Sequence, residues 1–393
     1  MPYPRVNRRQ FLRWSTALAA GAPLALRLGE DELLGAEVTR TIASSLRADA
    51  RVAVTRCPSY GAVVRPALAT CFDLLGGIGS LVKAKTVTVK INLTGTDFSE
   101  FLGRPVGETF MTHYDTVWAL AALLFEAGAK RVRLVESTQS TSPLQGSLAF
   151  ARWDVKALET LGKVEFENTR NLGSGKSYTH AKVPFGGYMF STFDLNQAYE
   201  DTDVMVSLAK LKNHVTAGVT LSMKNLFGIT PNSLYGGQAG NEDATEGRLP
   251  LHNPRGYGKF QPPGLKDGIA SIEPTWRVPR ITVDVCAARP IHLAIIDGIT
   301  TMNGGEGPWC RDAAVIKFMS PGVLIAGLNP VSTDAVGTAV MGYADARALK
   351  GTKPFVHCDN HLLMAEQAGL GVAELAKIDV RGEPIEKVKC NFG

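Results

Sequence analysis

Hydrophobic and polar positions along the chain switch repeatedly between a period of two and a helical period. Arg51–Arg56 (R-V-A-V-T-R) and Thr86–Leu93 (T-V-T-V-K-I-N-L) read as strands. Val63–Leu75 between them has helical spacing that stops at Gly76-Gly77. A second helix is predicted over Asp115–Ala127, with Gly128 as its stop, and R-V-R-L-V-E-S follows as a strand. Strand, helix and strand at this spacing predict parallel βαβ units. Thr202–Leu208, Ile291–Ile296, Gly322–Leu328 and Ile378–Arg381 are further strands. Pro330–Met341 and Asn360–Ala368 are helices, and Val283–Ala288 fits either type. Asn168–Phe193, rich in Gly, Lys and aromatic residues, reads as a hairpin excursion. Residues 230–268 read as a long loop, a kind of segment that tends to be functional or mobile. With no internal repeat and no low-complexity linker, the expected fold is α/β. It is a mostly parallel sheet with flanking helices, one interleaved unit over residues 50–385, with 386–393 as a tail.

Composition narrows the class. The 393 residues are 45% hydrophobic and 20% charged, which describes a globular chain and excludes a disordered or collagen-like one. No run of 18 apolar residues free of charge occurs, so no ordinary transmembrane span is expected. The net charge of +5 has an address. Arg5, Arg8, Arg9, Arg13 and Arg27 lie in residues 1–29, which hold no Asp or Glu, and the other 37 basic residues balance the 37 acids. A neutral body disfavours a broad nucleic-acid surface.

The basic tail reads N-R-R-Q-F-L-R at Asn7–Arg13, followed by the mildly apolar W-S-T-A-L-A-A-G-A-P-L-A-L. An arginine pair, Phe-Leu and such a run form the pattern of a twin-arginine export signal, a receptor-read address for proteins exported folded. Residues 1–35 are therefore expected to be signal and linker, with the twin-arginine translocation machinery as a partner and the periplasm or cell envelope as destination. Cleavage between residues 22 and 36 and retention as an anchor remain alternatives.

Cys57, Cys71, Cys286, Cys310, Cys358 and Cys390 include no C-x-x-C pair, so neither a zinc ribbon nor an iron–sulfur cluster is expected. Buried small hydrophobes are the plain reading of most of them. In V-H-C-D-N-H, His357 and His361 share one face if the segment is helical, which would suit a metal. The alternative is a loop and helix start capped by Asp359 or Asn360.

The densest polar stretch is Val206–Pro231, V-S-L-A-K-L-K-N-H-V-T-A-G-V-T-L-S-M-K-N-L-F-G-I-T-P. An apolar strand turns abruptly polar at Lys210, Lys212, Asn213, His214 and Thr216. A helix-like segment, Ala217–Leu226, then brings Lys224 and Asn225. Ligands of parallel α/β sheets gather at the carboxyl ends of strands, where helix N–H groups are free. Three lysines and a histidine there predict a pocket for an anionic small molecule, with Lys210, Lys212, His214 and Lys224 as candidate catalytic residues. Lys90 and Asn92 end one strand, Glu136 another and Asp297 a third, and all join the candidate ligand-binding set with Asn225. Lys90 inside V-K-I-N is costly unless paired, with Glu136 or Asp297 as the available partners. Gly304 and Gly305 in M-N-G-G-E-G-P-W could admit a ligand to backbone N–H groups, or form a tight turn without one. Asp334 in N-P-V-S-T-D-A-V-G could cap backbone N–H groups or face the pocket. No G-x-S-x-G or H-E-x-x-H occurs, so nucleophilic hydrolysis has no positive support.

V-K-I-N-L, A-G-A-K-R-V-R-L-V-E-S, S-L-A-K-L-K-N-H-V-T-A-G-V-T-L-S-M-K-N-L-F-G, I-I-D-G-I-T-T-M-N-G-G-E-G-P and L-I-A-G-L-N-P-V-S-T-D-A-V-G together resemble the family known as domain of unknown function 362. H-L-L-M-A-E-Q-A-G-L-G-V resembles its closing helix. The resemblance covers roughly residues 50–385 and implies a fold and a probable site more than a reaction. Some relatives carry an appended ferredoxin-like domain, for which this chain lacks the cysteines. The expectation is an exported protein whose Lys/His pocket takes an anionic small molecule or cofactor, as an enzyme with Lys/His acid–base chemistry. Alternatives are a non-catalytic binding protein of the cell envelope, and a metal- or organometallic-cofactor enzyme of racemase-like or redox type, with Asp297, Glu136 and Asp334 balancing charge or holding the metal.

Overall fold

The structure is a computed structural model that describes residues 49–393 apart from 94–99, 139–142, 246, 254–260, 270–272 and 311–315. The export-signal reading of residues 1–35 lies outside the described residues. In chain order the strands are β1 (Arg51–Arg56), β2 (Thr86–Lys90), β3 (Arg131–Glu136), β4 (Val164–Asn168), β5 (Tyr178–Lys182), β6 (Thr192–Asn196) and β7 (Val204–Lys210). They continue with β8 (Asn213–His214), β9 (Gly218–Val219), β10 (Leu293–Gly298), β11 (Thr301–Asn303), β12 (Lys317–Met319), β13 (Val323–Gly327) and β14 (Asp379–Gly382). The main helices are α1 (Val64–Leu74), α2 (Tyr114–Glu126), α3 (Leu221–Leu226), α4 (Pro274–Ala288), α5 (Pro330–Val340) and α6 (His361–Gln367).

One eight-stranded sheet has the order β14-β1-β13-β10-β7-β2-β3-β4. Only β13 runs against its neighbours β1 and β10, and every other pair in the sheet is parallel. The fold is therefore α/β with a mostly parallel sheet, as the βαβ spacing predicts. Successive residues of a strand face opposite sides. Val87, Val89, Leu134, Val206 and Ile295 pack against Leu68 of α1 and Leu120 and Leu124 of α2. Met205, Ala294 and Ile296 pack on the other side with Ile281 of α4, Val336 of α5 and Leu362 of α6. Each such fully buried aliphatic side chain contributes about 1.5–3 kcal/mol.

The chain runs outward from β2 through β3 to β4 at one edge, then returns to lay β7 on the other side of β2. The direction of strand order reverses there, and the carboxyl ends of β2 and β7 flank the crevice that such a reversal opens.

Several expectations change in three dimensions. β4, not among the expected strands, is a half-exposed edge strand whose short V-E-F-E alternation sets Val164 and Phe166 against the core. The strand expected to reach Leu93 keeps a last ladder bond from Ile91 N to Val135 O and then leaves, because Thr112 Oγ1 takes the Asn92 N–H at 2.7 Å and Glu136 takes the Leu93 N–H at 2.6 Å. The helix expected from Ala217 begins only at Leu221. Gly218 (φ +76°) turns the β8–β9 hairpin first, and a Cβ there would meet the Phe355 ring at 2.6 Å. Residues 230–268 are not simply loop. Short helices form at Asn232–Tyr235 and Leu249–His252, and Asn232, Tyr235, Arg248 and Leu251 are buried. Val283–Ala288 is helical, as the end of α4.

His357 and His361 do not share a helix face, since α6 starts at His361 and is capped by Asn360, which accepts from the Leu362 and Leu363 amides. Residues 386–393 are docked rather than trailing: Cys390 N donates to Val340 O, Phe392 N donates to Met341 O, and the Phe392 ring is buried. All six cysteines are free thiols and five are buried. Among the described residues no helix is long and apolar enough to cross a membrane.

Candidate functional site

A cavity of ≈ 60 Å³ lies where β2, β3 and β7 end. Four cations line it, Lys90, Lys212, Lys224 and Arg248, against two carboxylates, Glu136 and Glu306, with His214, Asn92, Asn225, Ser137 and Thr220 between them. Size does not single it out, because depressions of ≈ 260 Å³ beside Arg289 and ≈ 480 Å³ beside Trp118 are larger and more open. What distinguishes it is the number of charges buried together.

Lys90 closes β2 with its ammonium 2.5 Å from Glu136 Oε1 and 2.6 Å from Ile91 O. Glu136 also accepts from the Leu93 and Ser137 amides, which anchors the chain where it leaves the sheet. Asn225, near the end of α3, donates to Lys90 O at 3.1 Å and Ser207 Oγ at 3.0 Å, and accepts from Asn92 Nδ2 at 3.0 Å. These bonds tie α3 to the ends of both strands. At Gly228 a Cβ would lie 3.2 Å from Lys90 Cε and 3.3 Å from its Nζ, so a larger residue would press on the Lys90 side chain.

The other cations are less well matched. Lys212 donates only to two carbonyls, Phe110 O at 2.7 Å and Glu306 O at 2.9 Å. Arg248 donates to Thr230, Gly228 O and Ser137 Oγ, but its Nη1 has no partner. Lys224 is 9% exposed and its Nζ lies 4.1 Å from the centre of the Phe227 ring. Among the described residues that ammonium has no hydrogen-bond acceptor and no ion-pair partner. His214 holds Nδ1 3.2 Å from the Thr216 amide and 3.9 Å from Glu306 Oε2.

Burial sets the electrostatics. It pushes Lys212 and Lys224 down to about 7, only partly opposed by Glu306. It pushes Arg248 down to about 10 and His214 well below the usual imidazole range. Lys90 is lowered by burial too, opposed by Glu136. Burial works against the Glu306 carboxylate as well, but His214, the Val215 amide and Lys224 outweigh it and hold Glu306 at about 2. Near neutral pH the cavity thus offers an ionised Glu306, a neutral imidazole and two lysines that change charge readily.

Of the residues singled out in the sequence, the cavity gathers Lys212, His214, Lys224, Lys90, Asn92, Glu136 and Asn225. Lys210 does not line it. Its ammonium turns to Tyr60 OH at 2.6 Å, Gly107 O at 2.7 Å and Asp297 Oδ2 at 3.2 Å. Asp297 pairs with Lys210 by strand register and also accepts from Tyr60, Thr116 and the Ile299 amide. Of the two partners open to Lys90, the structure selects Glu136. Asp334 caps α3, accepting from Ser222 N and Met223 N at 2.8 Å and from Ser222 Oγ at 2.6 Å. Gly304 (φ +93°) and Gly305 (φ +154°) turn the loop that delivers Glu306 instead of lining the cavity themselves. Glu306, Arg248 and Ser137 escaped sequence reasoning as site residues. The glycines flanking Glu306 were a signal, and Arg248 offered only its place in the long loop. No group of three or more His, Cys, Asp or Glu side chains suited to a metal occurs among the described residues.

Fold and site define an α/β protein with a buried, mainly cationic cavity at the switch point of its sheet. It belongs to the family described as domain of unknown function DUF362, which matches residues 87–339. A thylakoid-associated protein of Synechocystis sp. is 30% identical over 190 residues, a match covering 47% of this chain and 51% of that protein. The match thus spans about half the length of that curated relative. Among solved structures, the lactate racemase apoprotein of Thermoanaerobacterium thermosaccharolyticum is similar at 12% identity and a TM-score of 0.36, covering 65% of this chain and 51% of that one. A Thermotoga maritima protein is similar at 13% identity and a TM-score of 0.33, covering 63% and 52%. At these scores neither bears on the chemistry of the cavity.

Proposed function

We propose that this is an exported enzyme that binds a small anion in the cavity and uses Lys212 and Lys224 for acid–base chemistry. The observation that carries the reading is the Lys224 ammonium, buried without a partner in a cavity where cations outnumber carboxylates. A buried charge without a counter-charge is costly, and an anionic ligand supplies the counter-charge. Lysines lowered to about 7 can hold or release a proton at neutral pH, which a fully solvated lysine cannot do. The N-R-R-Q-F-L-R motif supports export, and the neutral charge of residues 30–393 supports a small anion over a nucleic acid.

The binding test is thermal unfolding against acetate, pyruvate, succinate, sulfate and phosphate. At least one should raise the melting temperature of the wild type, and Lys212→Met or Lys224→Met should abolish that rise. An unchanged melting temperature with all five, or variants that respond like the wild type, would refute the reading. Export is tested separately by fusing residues 1–35 to a folded reporter. Arg8→Lys with Arg9→Lys should keep the reporter inside the cell, and undiminished export of that variant would overturn the localisation.

A further inference from the structure

We propose that Lys224 is a covalent catalyst, joining a small 2-oxo acid to the enzyme as an imine through its side-chain nitrogen. This rests on the cavity being an anion site and goes on to name the substrate class and the bond formed.

The four cations of the cavity are occupied unequally. Lys90 is committed to Glu136 and Ile91 O, Lys212 to the Phe110 and Glu306 carbonyls, and Arg248 to Thr230, Gly228 and Ser137. Lys224 alone has no acceptor among the described residues and rests against the face of Phe227. An ammonium needs acceptors, whereas a neutral amine keeps a free lone pair and tolerates an apolar wall. Arg248 and Lys90, the cations nearest in effect, further disfavour a charge on Lys224. Desolvation together with a neighbouring cation is the arrangement that makes a lysine nucleophilic toward carbonyl carbon.

The rest of the lining suits the rest of such a substrate. Lys212 and Arg248, with its unpartnered Nη1, give a carboxylate two cationic anchors in the same cavity as the amine. At about 10–15 Å³ per water-sized position, ≈ 60 Å³ holds on the order of four to six such positions, the size of a three-carbon oxo acid. A carboxylate and a ketone on adjacent carbons fit this layout. A simple inorganic anion would leave the amine unused.

The step balances without an oxidant or reductant. The Lys224 nitrogen bonds to the carbonyl carbon, and the carbonyl π pair moves to oxygen, which takes a proton. That proton comes from the nitrogen, relayed by neutral His214 or ionised Glu306, the bases in the cavity. A second proton, from Lys212, lets the oxygen leave as water while the nitrogen lone pair closes the C=N bond, which gives a protonated imine and a neutral Lys212. Return of the imine N–H proton to Lys212 completes the sum, amine plus ketone to imine plus water.

The test uses the wild-type chain, so it does not depend on a variant that folds. Protein is incubated with pyruvate and sodium cyanoborohydride, which reduces imines and spares ketones. Intact mass and peptide mapping then locate the adduct, and calorimetry measures pyruvate binding in parallel. A single reduced pyruvyl group on Lys224, absent from Lys224→Arg, is the expected result. Calorimetric binding of pyruvate without an adduct on Lys224, or with adducts spread over exposed surface lysines, overturns the imine and leaves the anion site standing. No calorimetric binding of pyruvate or of any anion in the panel overturns both.

Discussion

Replacing Lys224 by Met removes the one cavity cation that lacks an acceptor and keeps a side chain of similar length against Phe227. Burial holds the ammonium at about 7 in place of 10.5. At 1.36 kcal/mol per pKa unit, the ionised form is disfavoured by about 5 kcal/mol relative to water. Deprotonation relieves part of this, which leaves a destabilisation of about 4 kcal/mol at pH 7. Lys224→Met should therefore stabilise the free protein by about 2–4 kcal/mol at pH 7, the lower figure allowing for imperfect packing of the thioether. The sign follows from proton counting. The unfolded chain keeps this proton up to pH 10.5 and the folded chain only up to about 7, so wild-type stability from this group rises across that window. The advantage of the variant should shrink steadily from pH 7 and vanish near pH 10.5. Urea unfolding of both proteins at pH 7, 8.5 and 10 measures the difference, and taking the difference cancels the other buried lysines. A variant less stable than wild type at pH 7, with a gap that does not change with pH, would refute the reasoning, because Lys224 would then have a counter-charge in the folded protein.

Anion binding should take up protons above pH 7, since a bound anion favours the ammonium form of Lys212, which burial holds at about 7. Calorimetry in buffers of different ionisation enthalpy should show that uptake, with affinity falling up to about tenfold per pH unit between 8 and 9 for one proton; enthalpies independent of buffer would contradict it. Glu136→Gln strips Lys90 of its charge partner and should cost about 3–5 kcal/mol in urea unfolding. Adding Lys90→Met should restore most of that loss, and equal stabilities of single and double variants would sink the pairing argument. Gly305→Ala forces a Cβ to within 2.4 Å of Cys310 Sγ at φ +154°. It should cost about 1–3 kcal/mol and move the pH dependence of anion binding to lower pH, since displacing Glu306 removes the carboxylate that raises Lys212 and Lys224; an unchanged pH dependence would show that the loop does not position that carboxylate.

Much of the architecture was legible because it is written in local periodicity. The β-branched alternation of β2 and the helical spacing of α1 and α2 with their glycine stops depend on residues a few positions apart, so a linear pattern records them. The edge strand β4 was not singled out, since its alternation rests on only two apolar residues, Val164 and Phe166, both partly exposed at the sheet edge.

The sequence by itself determined that polar residues collect where strands end, that Lys90 needs a partner and that the basicity belongs to residues 1–29. Which polar residues meet was decided only by the tertiary structure. Lys210 and Lys212 are two positions apart, yet Lys210 is drawn to Asp297 by the β7–β10 register while Lys212 passes the end of the sheet into the cavity. Glu136 was selected over Asp297 as partner of Lys90, because β3 lies beside β2 whereas β7 stands between β2 and β10. Arg248 and Glu306 enter from connections that carry no periodic signal. Strand order and loop return join residues far apart in the chain, and no pattern within a window of ten or twenty residues can encode that.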